Sequence, residues 1–154
     1  MILVAVGTPD SIRRLSEMAR PIPREGPLVV LGFGDVGRKL AQLFTDAGEE
    51  VCIVYSDQIP GVDVVGDVLD ESVLERAPVA AARAVILALE SDNATLLVAK
   101  VVRKYAPDVP IIAAARALEN VERIQAAGAD FALSVSQVAG QLLSHHVLGE
   151  AVSL

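Results

Sequence analysis

Short apolar runs alternate with segments of helical periodicity from residue 28 to the end of the chain. Each run is four to six residues long and almost entirely apolar, which is typical of strands buried on both faces of a parallel sheet. We therefore predict six strands, at residues 28–32, 51–55, 62–65, 84–89, 109–114 and 131–135.

The segments between these runs have the capping residues and apolar spacing of helices. Asp70 offers an N-cap for a short helix that Pro78 ends, and Asp92 or Asn93 offers the cap of a longer one. Gly48 follows the first helix as its C-terminal glycine. We predict helices at residues 36–47, 70–77, 92–105, 118–127 and 136–148.

The order of these elements predicts the fold class. Strands that alternate with helices along a chain pair in parallel and are joined by right-handed crossovers. We therefore predict an α/β fold, a Rossmann-like doubly wound parallel sheet of six strands that is followed by a C-terminal helix.

Residues 1–27 follow a different pattern. Ile12, Leu15 and Met18 form one apolar stripe at helical spacing, and residues 21–27 contain three prolines and a glycine, which favours an extended linker. We predict an N-terminal helix and proline-rich linker at 1–27, a Rossmann domain at 28–149 and a tail at 150–154.

Composition and charge narrow the classes of partner. Hydrophobic residues make up 53% of the chain and aromatic residues 3%, so the core is aliphatic. The net charge of −7 argues against a nucleic-acid partner, because binding to a phosphate backbone depends on Lys and Arg. Cys52 is the single cysteine, which excludes a disulfide framework, and no apolar run reaches the roughly 18–20 residues that span a bilayer.

The turn between the first strand and the first helix carries the glycine spacing G-x-G-x-x-G. It consists of Gly32, Phe33, Gly34, Asp35, Val36 and Gly37. In a dinucleotide-binding turn the first glycine permits the tight bend, the second admits a pyrophosphate, and the third lets the helix pack on the strand. The free N–H groups of the first helical turn then bind the anion. A tight turn without a ligand is the alternative interpretation.

The end of the second strand does not have the acidic residue that usually contacts the ribose. Tyr55 lies 18 residues after Gly37, where an Asp or Glu is expected, and Ser56 and Asp57 follow it. Tyr55 can stack on an adenine or donate one hydrogen bond, but it lacks a carboxylate. The site is therefore open to NAD(H) or to an adenine mononucleotide such as ATP, ADP or AMP.

Three later stretches, taken with the glycine turn, resemble one family. They are "VVGDVLDESVLERA" (64–77), "ARAVILALESDNATLLVA" (82–99) and "ENVERIQAAGADFALSVSQVAGQLL" (119–143). These stretches resemble the nucleotide-binding RCK and TrkA-N domains of potassium channels and transporters. The resemblance covers residues 27–149 and implies that the last helix is a crossover helix.

The resemblance implies a regulatory function at the cytoplasmic face of a membrane. Family members control K⁺ conductance, either as domains fused to a channel pore or as free subunits beneath a transporter. They bind NAD(H) or adenine nucleotides and assemble as dimers within octameric rings. By this resemblance Gly66, Asp67 and Val68 lie beside the adenine, and Leu89 and Glu90 border the cleft.

The sequence departs from the family pattern after the fifth strand. Ala114 stands where many members have an Arg, and Arg116 lies two residues later. Calcium-binding members have carboxylates there that act with the acid at Asp92, so we predict no Ca²⁺ site at this position.

Catalytic groups are scarce. His145 and His146, both in the last helix, are the only histidines, and no acid–base pair accompanies the predicted cleft. We therefore predict that the chain is not an enzyme and that it is a channel domain, because the 27 residues before the first strand favour fusion to a pore. A free TrkA-type subunit, an NAD(P)-dependent oxidoreductase fragment and a structural partner with a vestigial pocket are the alternatives.

Overall fold

A six-stranded parallel sheet forms the centre of the protein. The computed structural model describes residues 22–149. The strands are β1 (Leu28–Leu31), β2 (Val51–Tyr55), β3 (Val64–Val65), β4 (Ala84–Leu87), β5 (Ile111–Ala115) and β6 (Phe131–Ser134). Every pairing is parallel and the order is β3-β2-β1-β4-β5-β6, which is the Rossmann order. The predicted fold class is confirmed.

Five α-helices accompany the sheet within residues 22–149. They are α1 (Asp35–Asp46), α2 (Glu71–Arg76), α3 (Asp92–Tyr105), α4 (Val121–Ala127) and α5 (Val135–Leu148). The single helix predicted at 118–127 is wrong in detail: a 3₁₀ turn covers Leu118–Asn120 and α4 begins at Val121. The other helices and the strands are confirmed, with ends that shift by at most two residues.

The cap of α3 differs from the prediction. Ser91, not Asp92 or Asn93, is the N-cap, because its extended backbone precedes the helix and its hydroxyl accepts a hydrogen bond from the N–H of Ala94 (3.1 Å). Asp92 is thus the first helical residue, and its carboxylate is available for another contact. At α2 the prediction is right, since Asp70 accepts a hydrogen bond from the N–H of Ser72.

The two faces of the sheet are covered unequally. On one face, strand residues such as Val29 and Leu31 pack with α2, α3 and α4 in a core of 22 buried residues. On the other face, Leu28 and Val30 belong to a core of seven buried residues, against which Leu40 and Phe44 of α1 pack. Within the described part of the chain, α1 is the one helix that covers this second face.

An apolar groove lies beside α1 on the second face. Its volume is about 470 Å³. Its sheet wall comes from alternate strand residues, which point to the same face: Ala84, Ile86, Ile112, Ala114, Phe131 and Leu133. Ile22 closes one part of the groove, and of α5 only the first residue, Val135, lines it.

Helix α5 leaves the sheet with its apolar side chains exposed. It begins directly after β6, where the hydroxyl of Ser134 accepts a hydrogen bond from the N–H of Gln137 (3.3 Å). None of its residues is buried, and Leu143 is 68% exposed and Val147 81% exposed. A helix with this surface has room for a partner on its apolar side.

The N-terminal helix predicted within 1–27 and the tail at 150–154 lie outside the described residues, apart from the linker from residue 22 onward. That linker is attached to the domain, because the guanidinium of Arg24 donates to the carbonyl oxygens of Asp108 (2.8 Å) and Ala80 (3.0 Å). Among the described residues, no helix has the length and apolarity needed to cross a bilayer.

Candidate functional site

The strand order places a crevice at the carboxyl ends of β1 and β4. Strand order reverses between these two neighbours, and ligands of doubly wound sheets bind at such a switch point. Two cavities meet here, one of about 640 Å³ and one of about 330 Å³. They share Ala88, Leu89 and Glu90 as a common wall.

Two of the three glycines in the turn are required by packing. Gly32 has a φ of +112°, and an added Cβ would overlap the carbonyl oxygen of Ala88, so only glycine fits where β1 leaves the sheet. Gly37 is buried in α1, and an added Cβ would lie 2.5 Å from the carbonyl oxygen of Gly32. Both close contacts hold α1 tightly against the end of β1.

Gly34 differs from these two because the fold itself does not require it. Its φ is −79°, which any residue adopts, and an added Cβ would meet no atom within 4 Å. Gly34 lines the smaller cavity and is the N-cap of α1 without a side-chain capping bond. The open space in front of Gly34 is therefore available to a bound group.

The first turn of α1 supplies hydrogen-bond donors beside this space. The carbonyl oxygen of Gly34 accepts from the N–H of Arg38 (2.9 Å), which is the first bond of the helix. The N–H groups of Asp35, Val36 and Gly37 precede it and have no intrahelical acceptor. Together with the helix dipole they favour an anion at this position.

The larger cavity brings together nine of the residues predicted for nucleotide binding. They are Gly32, Phe33, Tyr55, Ser56, Gly66, Asp67, Val68, Leu89 and Glu90. The rings of Phe33 and Tyr55 meet edge to face with centroids 6.4 Å apart, which holds the half-buried Tyr55 at the cavity wall.

Asp67 is exposed at the larger cavity and is partly used by its own turn. Its Oδ1 accepts a hydrogen bond from the N–H of Leu69 (2.9 Å), which fixes the carboxylate. Gly66 has a packing role, since an added Cβ would lie 2.5 Å from Cγ2 of Val73 in α2. The turn before α2 thus presents Asp67 in a defined position.

The smaller cavity contains three more predicted residues, Gly34, Asp35 and Val36. Two predicted residues line neither cavity: Gly37 lies beneath the turn, and Asp57 is exposed beyond the end of β2. β2 ends at Tyr55, and Asp57 lies two residues beyond that end, outside both cavities.

Arg116 and Ser136 line the smaller cavity, although neither was predicted to be a site residue. Arg116 follows β5 directly, since β5 extends to Ala115. The signal was present: a basic residue at the carboxyl end of a parallel strand lies at the ligand-binding edge. The prediction set Arg116 aside because it lies two residues after Ala114, the position at which many family members have an Arg.

Asp92 fixes the main chain of this edge. Its Oδ1 accepts from the N–H of Arg116 (2.8 Å), and its Oδ2 accepts from the N–H of Ala117 (3.0 Å) and from Nδ2 of Asn120 (2.9 Å). Burial raises the pKa of Asp92, but these hydrogen bonds and the charge of Arg116 outweigh it and bring the pKa below its ordinary value. The carboxylate is therefore ionised at neutral pH.

No group of three or more His, Cys, Asp or Glu side chains within residues 22–149 is arranged to hold a metal ion. The absence of a Ca²⁺ site after the fifth strand stays a prediction. Burial raises the pKa of Cys52, and the charges of Asp63 and Glu50 raise it further, so this thiol is protonated at neutral pH.

Comparisons with a family model, with known sequences and with solved structures agree on one family. The model of the TrkA-N domain matches residues 28–135. Potassium channel protein 1 of Methanocaldococcus jannaschii is 25% identical over 122 residues, which cover 73% of this chain and 37% of the relative. The chain thus spans little more than a third of that relative's length.

Solved structures share the fold. The TrkA-N domain of the Escherichia coli inner membrane protein YbaL has a TM-score of 0.73 at 19% identity, covering 79% of this chain and 96% of that domain. GsuK bound to ADP has a TM-score of 0.75 at 24% identity, covering 85% of this chain and 36% of GsuK. The GsuK channel bound to NAD has a TM-score of 0.71 at 24% identity, with coverages of 92% and 27%.

Proposed function

The chain belongs to the TrkA-N domain family, and from that premise we propose that it is a ligand-sensing regulatory domain that controls the K⁺ conductance of a potassium channel. The observation that carries the proposal is the crevice at the switch point, where the open space before Gly34 lies beside three helix N–H groups in the smaller cavity, which shares a wall with the larger one. A fold without a ligand has no need of glycine at this position.

The proposed ligand is NAD(H) or an adenine nucleotide, ATP, ADP or AMP. GsuK, which has this fold, is known bound to ADP and bound to NAD. The adenine would lie in the larger cavity, where Tyr55 offers a ring face and the carboxylate of Asp67 can accept from the exocyclic amine. The phosphates would lie against the N-terminus of α1.

Regulation would act through self-association. The chain carries two apolar surfaces that do not cover each other: the groove beside α1 and the exposed side of α5. We propose that α5 of a second copy covers the groove, giving a dimer in which each subunit donates its last helix. Dimers of this kind would assemble further into an octameric ring.

The partner would be a potassium channel pore, at the cytoplasmic face of the membrane. The relative named as a potassium channel protein supports a domain fused to the pore. A free TrkA-type subunit bound to a transporter is the alternative, and both place the same nucleotide site beneath a membrane protein. Ligand binding would shift the dimer between two arrangements, and this requires different affinities for them.

An enzymatic function is the less supported alternative. Asp35, Asp67 and Glu90 are the carboxylates that line the two cavities, and no histidine within residues 22–149 lines either one. A hydride transfer needs a substrate site and an acid–base group beside the cofactor. Turnover of NAD(P)H with a small substrate would favour the oxidoreductase and contradict the regulatory proposal.

Titration calorimetry tests the nucleotide site directly. The chain is titrated with NAD⁺, NADH, ATP, ADP and AMP, and each ligand is also added in a thermal unfolding experiment. A ligand at 100 times its Kd stabilises the folded state by about 2.7 kcal/mol, so binding and stabilisation should agree. If none of the five ligands releases heat or raises the melting temperature, the proposed function is wrong.

A further inference from the structure

Arg116 differs from every other arginine within residues 22–149. The side chains of the other six each donate a hydrogen bond to a protein oxygen: Arg24, Arg38, Arg76, Arg83, Arg103 and Arg123. The guanidinium of Arg116 makes no hydrogen bond or ion pair within this range. It is exposed and borders the smaller cavity, so its five N–H donors are available to a ligand.

The main chain of Arg116 is held on both sides although its side chain is not. Its N–H donates to Oδ1 of Asp92 (2.8 Å), and its carbonyl oxygen accepts from the hydroxyl of Ser136 (2.6 Å). These bonds join α3 and α5 to the end of β5. The guanidinium is therefore carried on a fixed backbone, and replacing the side chain leaves both bonds intact.

Arg116 is the one basic side chain among the charged residues that line the two cavities. The larger cavity has Asp67 and Glu90 among its lining residues and no Lys or Arg. The smaller cavity has Asp35 and Glu90 among its lining residues, and Arg116 is its one basic lining residue, beside the N-terminal residues of α1. A nucleotide with added phosphates gains negative charge, which the neighbouring carboxylates disfavour and a guanidinium stabilises by paired hydrogen bonds.

We infer that the smaller cavity is a phosphate subsite in which Arg116 binds the terminal phosphate of an adenine di- or triphosphate. This inference rests on the proposed nucleotide site and specifies its ligand: ADP and ATP bind more tightly than AMP. The adenosine occupies the larger cavity, the α-phosphate lies at the turn, and the chain of phosphates passes Gly34 into the smaller cavity.

Calorimetry with AMP and with ADP, on four forms of the chain, tests the subsite. The forms are the wild type, Arg116→Gln, Arg116→Lys and Arg123→Gln. Arg123→Gln is the matched control, since it removes the same charge from α4 nearby and loses one hydrogen bond of 3.3 Å to Asn120. All forms should unfold at nearly the same temperature, because Arg116 contributes no side-chain bond to the described fold.

We expect the wild type to bind ADP at least about tenfold more tightly than AMP, as one charge-assisted contact provides. Arg116→Gln should remove this preference, because it should weaken the affinity for ADP and leave the affinity for AMP within about twofold of the wild-type value. Arg116→Lys should restore part of it, and Arg123→Gln should behave as the wild type. If Arg116→Gln weakens the affinities for AMP and ADP equally, or leaves the affinity for ADP unchanged, the proposed subsite is wrong while the nucleotide site stands. Binding of neither nucleotide to the wild type would overturn the proposed function, and the subsite with it.

Discussion

The three glycines of the turn should respond differently to the same added methyl group. Gly32→Ala places a Cβ against the carbonyl oxygen of Ala88 at a φ of +112°, so the backbone of β1 or β4 must move. Gly34→Ala places its Cβ in open space at a φ of −79°. The first substitution therefore tests the fold, and the second tests the site.

The expected magnitudes follow from these two environments. For Gly32→Ala we expect a loss of at least about 3 kcal/mol in the free energy of unfolding, because backbone strain and a buried overlap act together. For Gly34→Ala the weaker N-cap costs up to about 1 kcal/mol, and the lower entropy of the unfolded chain offsets about 0.4–1 kcal/mol. Its net change in stability should be within about 1 kcal/mol.

Gly34→Ala should affect nucleotide binding much more than it affects stability. A methyl group in front of the α1 N–H groups displaces a phosphate from the position where those donors reach it. We expect Gly34→Ala to weaken the affinity for the nucleotide by at least about tenfold, as calorimetry would measure at unchanged folding.

Gly140→Ala provides the control for the methyl group itself. Gly140 lies in α5, and an added Cβ would meet no atom within 4 Å, yet Gly140 lines neither cavity of the crevice. Chemical denaturation should show this variant to be as stable as the wild type or more stable, with unchanged affinity. If Gly34→Ala binds the nucleotide as tightly as Gly140→Ala does, the open space before Gly34 does not hold the phosphates.

Two further predictions concern the carboxylate of Asp92 and the exposed apolar side of α5. Because hydrogen bonds bring the pKa of Asp92 below its ordinary value, its carboxylate contributes stability that is complete above the unfolded pKa of about 3.9 and is lost as pH falls through the folded pKa. Asp92→Asn should therefore be less stable than the wild type at pH 7, with a gap that narrows below about pH 4 in urea titrations; a gap independent of pH contradicts this account. Leu143→Glu, on the exposed apolar side of α5, should turn the proposed dimer into a monomer in light scattering. A dimer that survives Leu143→Glu would exclude this face of α5 from the interface.

The sequence was sufficient to predict the fold class but not the contacts that side chains make between distant parts of the chain. Apolar runs such as residues 84–87 predict strands that are buried on both faces. Strands that alternate with helices and are joined by right-handed crossovers can adopt only a few topologies. The glycine turn was found because its spacing reflects a backbone geometry that is local to six residues.

The contacts of the smaller cavity could not be predicted, because they join residues far apart in the chain. The local pattern predicts Asp92 as a helix cap. In the structure its carboxylate instead accepts a hydrogen bond from the N–H of Arg116, 24 residues later in the chain. Ser136 bonds the carbonyl oxygen of Arg116 across the edge of the sheet. Residue type and spacing do not encode such a meeting, which depends on which strands become neighbours.

The same contacts connect the proposed ligand site to the helix of the proposed dimer interface. The N-terminal part of α5 supplies Ser136 and Ala139 to the smaller cavity, and exposed apolar residues such as Leu142 and Leu143 follow on the same helix. Because Ser136 bonds the carbonyl oxygen of Arg116 at 2.6 Å, we propose that a ligand that moves Arg116 also changes the direction of α5.

If the two sites are coupled in this way, linkage makes the effect reciprocal. Because each subunit has one site, saturating ADP must change the dimerisation constant by the square of the factor by which dimerisation changes the affinity per site for ADP. Sedimentation equilibrium with and without ADP gives the first factor, and calorimetry at protein concentrations below and above the dimerisation constant gives the second. Ser136→Ala removes the bond between the cavity and α5 without touching the guanidinium, so it should reduce both factors together. A dimerisation constant that ADP does not change would show that the site senses its ligand by a route other than α5.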